Sequence, residues 1–112
     1  MSPLLVGLGA GIGAMLRFAL ATYVDRPDVP LGTWLANVSG SFVLGLLSGL
    51  AVGPDALLLL GVGFCGGFTT YSSFAVQAHE HGPLLGSSYV VATLVCALAA
   101  CAAGFALGAV LV

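Results

Sequence analysis

A chain of 112 residues that is 60% apolar and 5% charged, with a net charge of −2 and no lysine, does not build a water-facing globular surface, because soluble domains carry about 25% charged residues. A nucleic-acid partner is disfavoured for the same reason, since phosphate recognition needs clustered Lys or Arg. The mean hydropathy is strongly positive, and a bilayer is the solvent that such a composition fits.

Four apolar runs follow one another, each near or above the roughly 20 residues that a helix needs to cross hydrocarbon. The first covers about residues 3–24, with Ser2 placed to cap it and Pro3 suited to the first turn, and it ends at Asp25-Arg26-Pro27-Asp28. The second covers about residues 31–52 and stops at Gly53-Pro54-Asp55. The third covers about residues 56–78 and stops at His79-Glu80-His81-Gly82-Pro83, and the fourth covers about residues 84–111. Five of the six charged residues sit in the connectors, which leaves Arg17 as the one charge inside a run. The expectation is a single all-α domain over residues 1–112 with four membrane crossings and both termini on one side.

Two other readings fail on their context. The first run lacks the basic leader of a signal peptide, and Arg17 interrupts it ahead of Ala19-Leu20-Ala21. Gly61-Val62-Gly63-Phe64-Cys65-Gly66 has dinucleotide-fingerprint spacing but lies inside a span rather than between a strand and a helix. Cys65, Cys96 and Cys101 read as small buried hydrophobes. His79 and His81 make a poor metal-ligand set by themselves. The arginines favour neither membrane orientation strongly.

Glycines four residues apart, at Gly7/Gly11, Gly9/Gly13, Gly45/Gly49 and Gly104/Gly108, predict close helix packing. On the second helix Thr33, Asn37 and Ser41 align on one face, with Ser48 roughly continuing the stripe. Interhelical hydrogen bonding accounts for the hydroxyls, whereas the Asn37 amide offers N–H donors of the kind an anion needs. The third run contains Gly63-Phe64-Cys65-Gly66-Gly67-Phe68-Thr69-Thr70-Tyr71-Ser72-Ser73-Phe74. Its paired glycines and clustered hydroxyls predict a broken helix, which lipid tolerates where the break is buried or lines a cavity. In the fourth run Tyr89 and Thr93 share a face, although Tyr89 also suits an interfacial belt. Arg17 is open to three readings: snorkelling to the interface, capping a helix end, or lining an anion vestibule.

These segments resemble the Fluc/CrcB family of fluoride channels. The likeness rests on Gly13-Ala14 with Arg17, on Gly32-Thr33 with Asn37, Gly40 and Gly45, and on the long third-helix stretch, and it spans nearly the whole chain. It implies a multi-pass inner-membrane protein that lets cytoplasmic fluoride leave passively, with no enzymatic activity. It implies an antiparallel dual-topology dimer with two pores at the interface, or alternatively a paired heterodimer. It implies a structural sodium ion held by the backbone carbonyls of Gly66 and Thr69 from each subunit. It also implies pore residues at Asn37, Tyr71, Ser72, Phe74, Tyr89 and Thr93, with Arg17 near the vestibule. The chain departs from the family pattern at Tyr71, where phenylalanine is usual, and at Ala97, where the polar track on the fourth helix would continue with a hydroxyl. Two other functions compete with this one. A small cation/proton antiporter requires an intramembrane carboxylate, and the spans have none; a non-transporting membrane subunit has no need of the polar break.

Overall fold

The computed structural model describes residues 2–24, 31–70 and 72–112, without the side chains of Ser2, Ser72 and Ser73. The described residues are almost entirely helical and contain no strand. In chain order they form α1 (Ser2–Val24), α2 (Leu31–Leu50), α3 (Pro54–Ala56), a π-helical stretch (Leu57–Cys65), α4 (Gly66–Phe68), α5 (Ser72–Glu80) and α6 (Gly82–Leu111). Among the described residues three segments are long and apolar enough to cross a membrane: Pro3–Val24, Leu31–Leu50 and Gly82–Leu111. Pro54–Phe68 is a shorter apolar helix. The longest dimension, 42 Å, matches a bilayer with its headgroup regions, about 40–45 Å.

Local chemistry sets the boundaries. α2 stops at Leu50, two residues short of the expected 52, because Ala51 turns into the left-handed region at φ 54° and its N–H donates to the Ser48 carbonyl at 3.2 Å. Gly53-Pro54-Asp55 starts a helix as well as separating two: Gly53 is the extended N-cap and Pro54 fills the first turn, where a missing N–H costs nothing. Pro83 plays the same part at the start of α6.

The exterior is apolar, as lipid requires. Phe18, Leu84, Leu98 and Val110 are all at least 70% exposed. The interior is thin. The buried apolar side chains among the described residues are Ala36, Leu47, Cys65 and Phe74. Backbone meeting backbone replaces a bulky core. α2 packs along α6 with Gly45 and Gly49 against the Cys101 and Phe105 carbonyls, and with Gly104 and Gly108 against those of Phe42 and Leu46. α1 packs on the π-helical stretch and α4 in the same manner: Gly9 lies on Leu59, Gly13 on Phe64, and Gly67 on Ala10. This is small-residue packing without a hydrophobic drive.

Gly7 and Gly11 depart from the expectation. A Cβ at either position would meet nothing within 4 Å. They sit two residues out of step with Gly9 and Gly13, and two helical residues differ by about 200°, so the two pairs occupy opposite faces of α1.

That contrast gives a prediction. Gly45→Ala drives a methyl group into the Cys101 carbonyl and lowers thermal stability, whereas Gly11→Ala gains about 1 kcal/mol of helix propensity at no steric cost. Thermal unfolding of the two variants in one detergent checks the sign of each change.

Candidate functional site

The break expected in the third run is present. Helical geometry persists through Phe68, and Thr69 is extended at φ −84° and ψ 161°. Before the break the chain is wound as a π-helix over Leu57–Cys65, a widened form that accompanies functional irregularities in helices. Gly61 and Gly63 fall within that stretch and are buried, so the fingerprint-like spacing there serves packing.

The backbone groups released by the break have specific partners. Thr69 N–H and Thr69 Oγ1 both donate to the Cys65 carbonyl, at 3.0 and 2.8 Å. Thr70 is held from α2: its N–H donates to Asn37 Oδ1 at 2.7 Å, and its carbonyl accepts from Asn37 Nδ2 at 3.0 Å. One side-chain amide therefore satisfies both main-chain groups of Thr70, as a neighbouring strand would. Gly40, one turn further along α2, gives Thr69 room to approach, since a Cβ there would strike the Thr69 methyl group.

A groove of about 680 Å³ opens beside the break. Asn37, Ser41 and Ser48 line it from α2, Gly66, Thr69 and Thr70 from the break, Phe74 from α5, and Thr93 and Ala97 from α6. Cys65 also contributes to the wall. Three of the hydroxyl groups already donate to the carbonyl four residues earlier: Ser41 to Asn37 at 2.8 Å, Ser48 to Leu44 at 3.0 Å, and Thr69 to Cys65. Thr93 differs. It is 4% exposed, and its Oγ1 is buried without a hydrogen-bond partner. Phe74 is 8% exposed, and its ring lies 5.2 Å from that of Tyr89 at a 49° tilt.

Of the residues singled out in the sequence, Asn37, Gly66, Thr69, Phe74 and Thr93 meet at this groove, and Tyr89 stands against Phe74. Arg17 is half-buried on α1 and is not among the lining residues. Tyr71 and the Ser72 side chain lie outside the described residues. Sequence reasoning did not single out the Thr70 backbone or the place of Cys65 in the wall. The Thr70 position was open to discovery, because a residue two beyond Gly66-Gly67-Phe68 must lose its helical partner if the helix ends there.

The oxygen groups at the break suit a hard cation such as sodium. Thr70 N–H, the group that would close a turn on the Gly66 carbonyl, is taken by Asn37. A Cβ on Gly66 would meet no atom within 4 Å, so the approach to this residue is open. Uncharged carbonyl oxygens freed by a helix break are sodium ligands in membrane proteins.

Residues 4–105 match the family model described as "CrcB-like protein, Camphor Resistance (CrcB)". The chain belongs to the CrcB family. Within that family it is 45% identical over 112 residues to the "Fluoride-specific ion channel FluC 2" of Rhodococcus jostii, covering 96% of this chain and 98% of that protein. It is 43% identical to "Fluoride-specific ion channel FluC 1" of Listeria innocua, covering 94% of this chain and 95% of that protein. It is 48% identical over 98 residues to "Fluoride-specific ion channel FluC 2" of Haloarcula marismortui, covering 84% and 82%. With its apolar spans, this CrcB chain is a membrane protein.

The unpaired Thr93 hydroxyl leads to a prediction. A buried hydroxyl without a partner costs more than the methyl group that would replace it, so Thr93→Val raises the stability of the isolated chain by about 1 kcal/mol. Detergent-solubilised protein unfolded by heat, with and without the substitution, measures the change. A lower melting temperature would mean that the hydroxyl is bonded.

Proposed function

We propose that the chain forms a passive, fluoride-specific channel in a cell's inner membrane, with the ion path along the groove beside the helix break. Pro54–Phe68 and α5 together make the third of four crossings. A second copy inserted in the opposite direction covers the groove and supplies the other wall. The buried, unpaired hydroxyl of Thr93, a residue in the wall of that groove, carries this reading, supported by the fluoride-specific names of the relatives.

Fluoride is small, strongly hydrated and purely an acceptor. Its passage needs dispersed donors in place of water, each weak enough to release it. Thr93 O–H is one such donor. The ring edge of Phe74 carries partial positive charge and is another. The Thr69 hydroxyl is a third, because it can swing to the ion while the Cys65 carbonyl keeps its bond from Thr69 N–H. Tyr71, Ser72 and Tyr89 complete the path by family resemblance, with Arg17 at its mouth. Sodium held by the Gly66 and Thr69 carbonyls of two copies would add positive potential beside the path without standing in it.

Among the described residues that line the groove there is no carboxylate, the group through which a cation/proton antiporter couples to protons. Unilamellar vesicles carrying this protein alone and loaded with potassium fluoride are expected to release fluoride and retain chloride when valinomycin clears the potassium. Phe74→Ile is expected to reduce release to that of protein-free vesicles. Silence of the unsubstituted protein, with flux restored by a co-expressed paralogue, would identify it as half of a heterodimer. Cationic-dye transport without fluoride release would refute the channel.

A further inference from the structure

We infer that Asn37 is a positioning residue, one that serves the ion path by holding the backbone of the break rather than by touching the ion. The inference deepens the channel reading and rests on it, since a path along the break requires the break to keep its shape. Three observations carry it. First, Asn37 spends its acceptor and one donor on Thr70, at 2.7 and 3.0 Å, across 33 residues of sequence. Second, both bonds go to the main chain, so no side chain at position 70 can supply or remove them. Third, the captured N–H is the one that would continue the helix from Gly66, and Thr69 is already extended one residue earlier. The amide thus holds the chain at the point where hydrocarbon would otherwise force an interrupted helix to close or collapse.

The chemistry demands this residue type. Satisfying a main-chain N–H and C=O together requires a donor and an acceptor fixed in one plane about 2.2–2.3 Å apart, which a primary amide provides. Serine or threonine at position 37 has one rotating hydroxyl. Leucine has the volume but neither polar group. Aspartate, when ionised, keeps the acceptor and sets a negative oxygen against the Thr70 carbonyl.

The test is backbone amide exchange at Thr70, read by NMR on the full-length protein in nanodiscs without fluoride. In the unsubstituted protein Thr70 N–H is expected to exchange slowly although it lies outside a helix. Asn37→Ala and Asn37→Leu are each expected to accelerate it by roughly tenfold or more, as loss of one hydrogen bond implies, while amides in the middle of α2 and α6 keep their rates. The two variants are also expected to lose fluoride release from vesicles. If Thr70 exchanges rapidly in the unsubstituted protein, or if its rate is unchanged in a folded variant, the inference is overturned, whatever the flux does. Should the unsubstituted protein pass no fluoride either alone or with a co-expressed paralogue, while the variants still release Thr70, the channel reading fails and the backbone clamp stands.

Discussion

Hydrocarbon offers no hydrogen bonds, so a helix interrupted inside it must find a partner for every main-chain group it exposes. The rest of the structure is arranged around that constraint at residues 69 and 70. Thr69 turns back on the Cys65 carbonyl with both its N–H and its hydroxyl, and Thr70 reaches across to the Asn37 amide. With those groups satisfied from inside the protein, the chain can leave helical geometry without an orphaned N–H at either residue. The Gly66 carbonyl, four residues before Thr70, loses its helical donor as a direct result.

Reaching across the gap requires α2 and the third segment to sit close together, and glycine makes that closeness possible. Lipid tails compete with Leu and Val side chains for the same contacts, so apolar bulk gives no net drive for helices to associate. Close approach of backbones does, through dispersion and shape. α6 is locked on α2 by four glycines facing main-chain carbonyls, and α1 is locked on the π-helical stretch and α4 by Gly9, Gly13 and Gly67. The widened turn at Leu57–Cys65 and the glycines within it bring the backbone of α1 against this segment. The contact holds the near side of the break as Asn37 holds the far side.

The sequence made some of this legible and hid the rest for identifiable reasons. Gly66-Gly67 followed by five hydroxyl residues is a local signal, and local signals can be read from one chain, so the break was predictable. Three of the four expected spans, those of α1, α2 and α6, were legible from composition for the same reason. The partner of Asn37 was not, because a contact across 33 residues depends on how helices cross, and a lone polar residue in a span says that it needs a partner without saying which. The glycine pairs were visible as pairs, yet spacing alone did not tell that Gly9/Gly13 face inward and Gly7/Gly11 outward. Of the polar stripe expected on α2, Asn37, Ser41 and Ser48 line the groove and Thr33 is not among its lining residues, and the serine donors are turned onto the helix's own carbonyls, a choice of rotamer that residue type does not encode.

That last point bears on how a polar groove can lie on so apolar a molecule. Ser41, Ser48 and Thr69 reduce the cost of facing a low-dielectric surround by donating to carbonyls within reach, and each can give up that bond without orphaning a backbone group that keeps its N–H partner. Thr93 has the same option and does not take it: the residue lines the groove, and its hydroxyl is buried and stays unpaired. Packing alone would favour valine at that position, which has the same shape and no polar atom to desolvate. Under the proposed channel, a threonine in this wall is explained by a passing acceptor that meets the hydroxyl more favourably than the surrounding protein does.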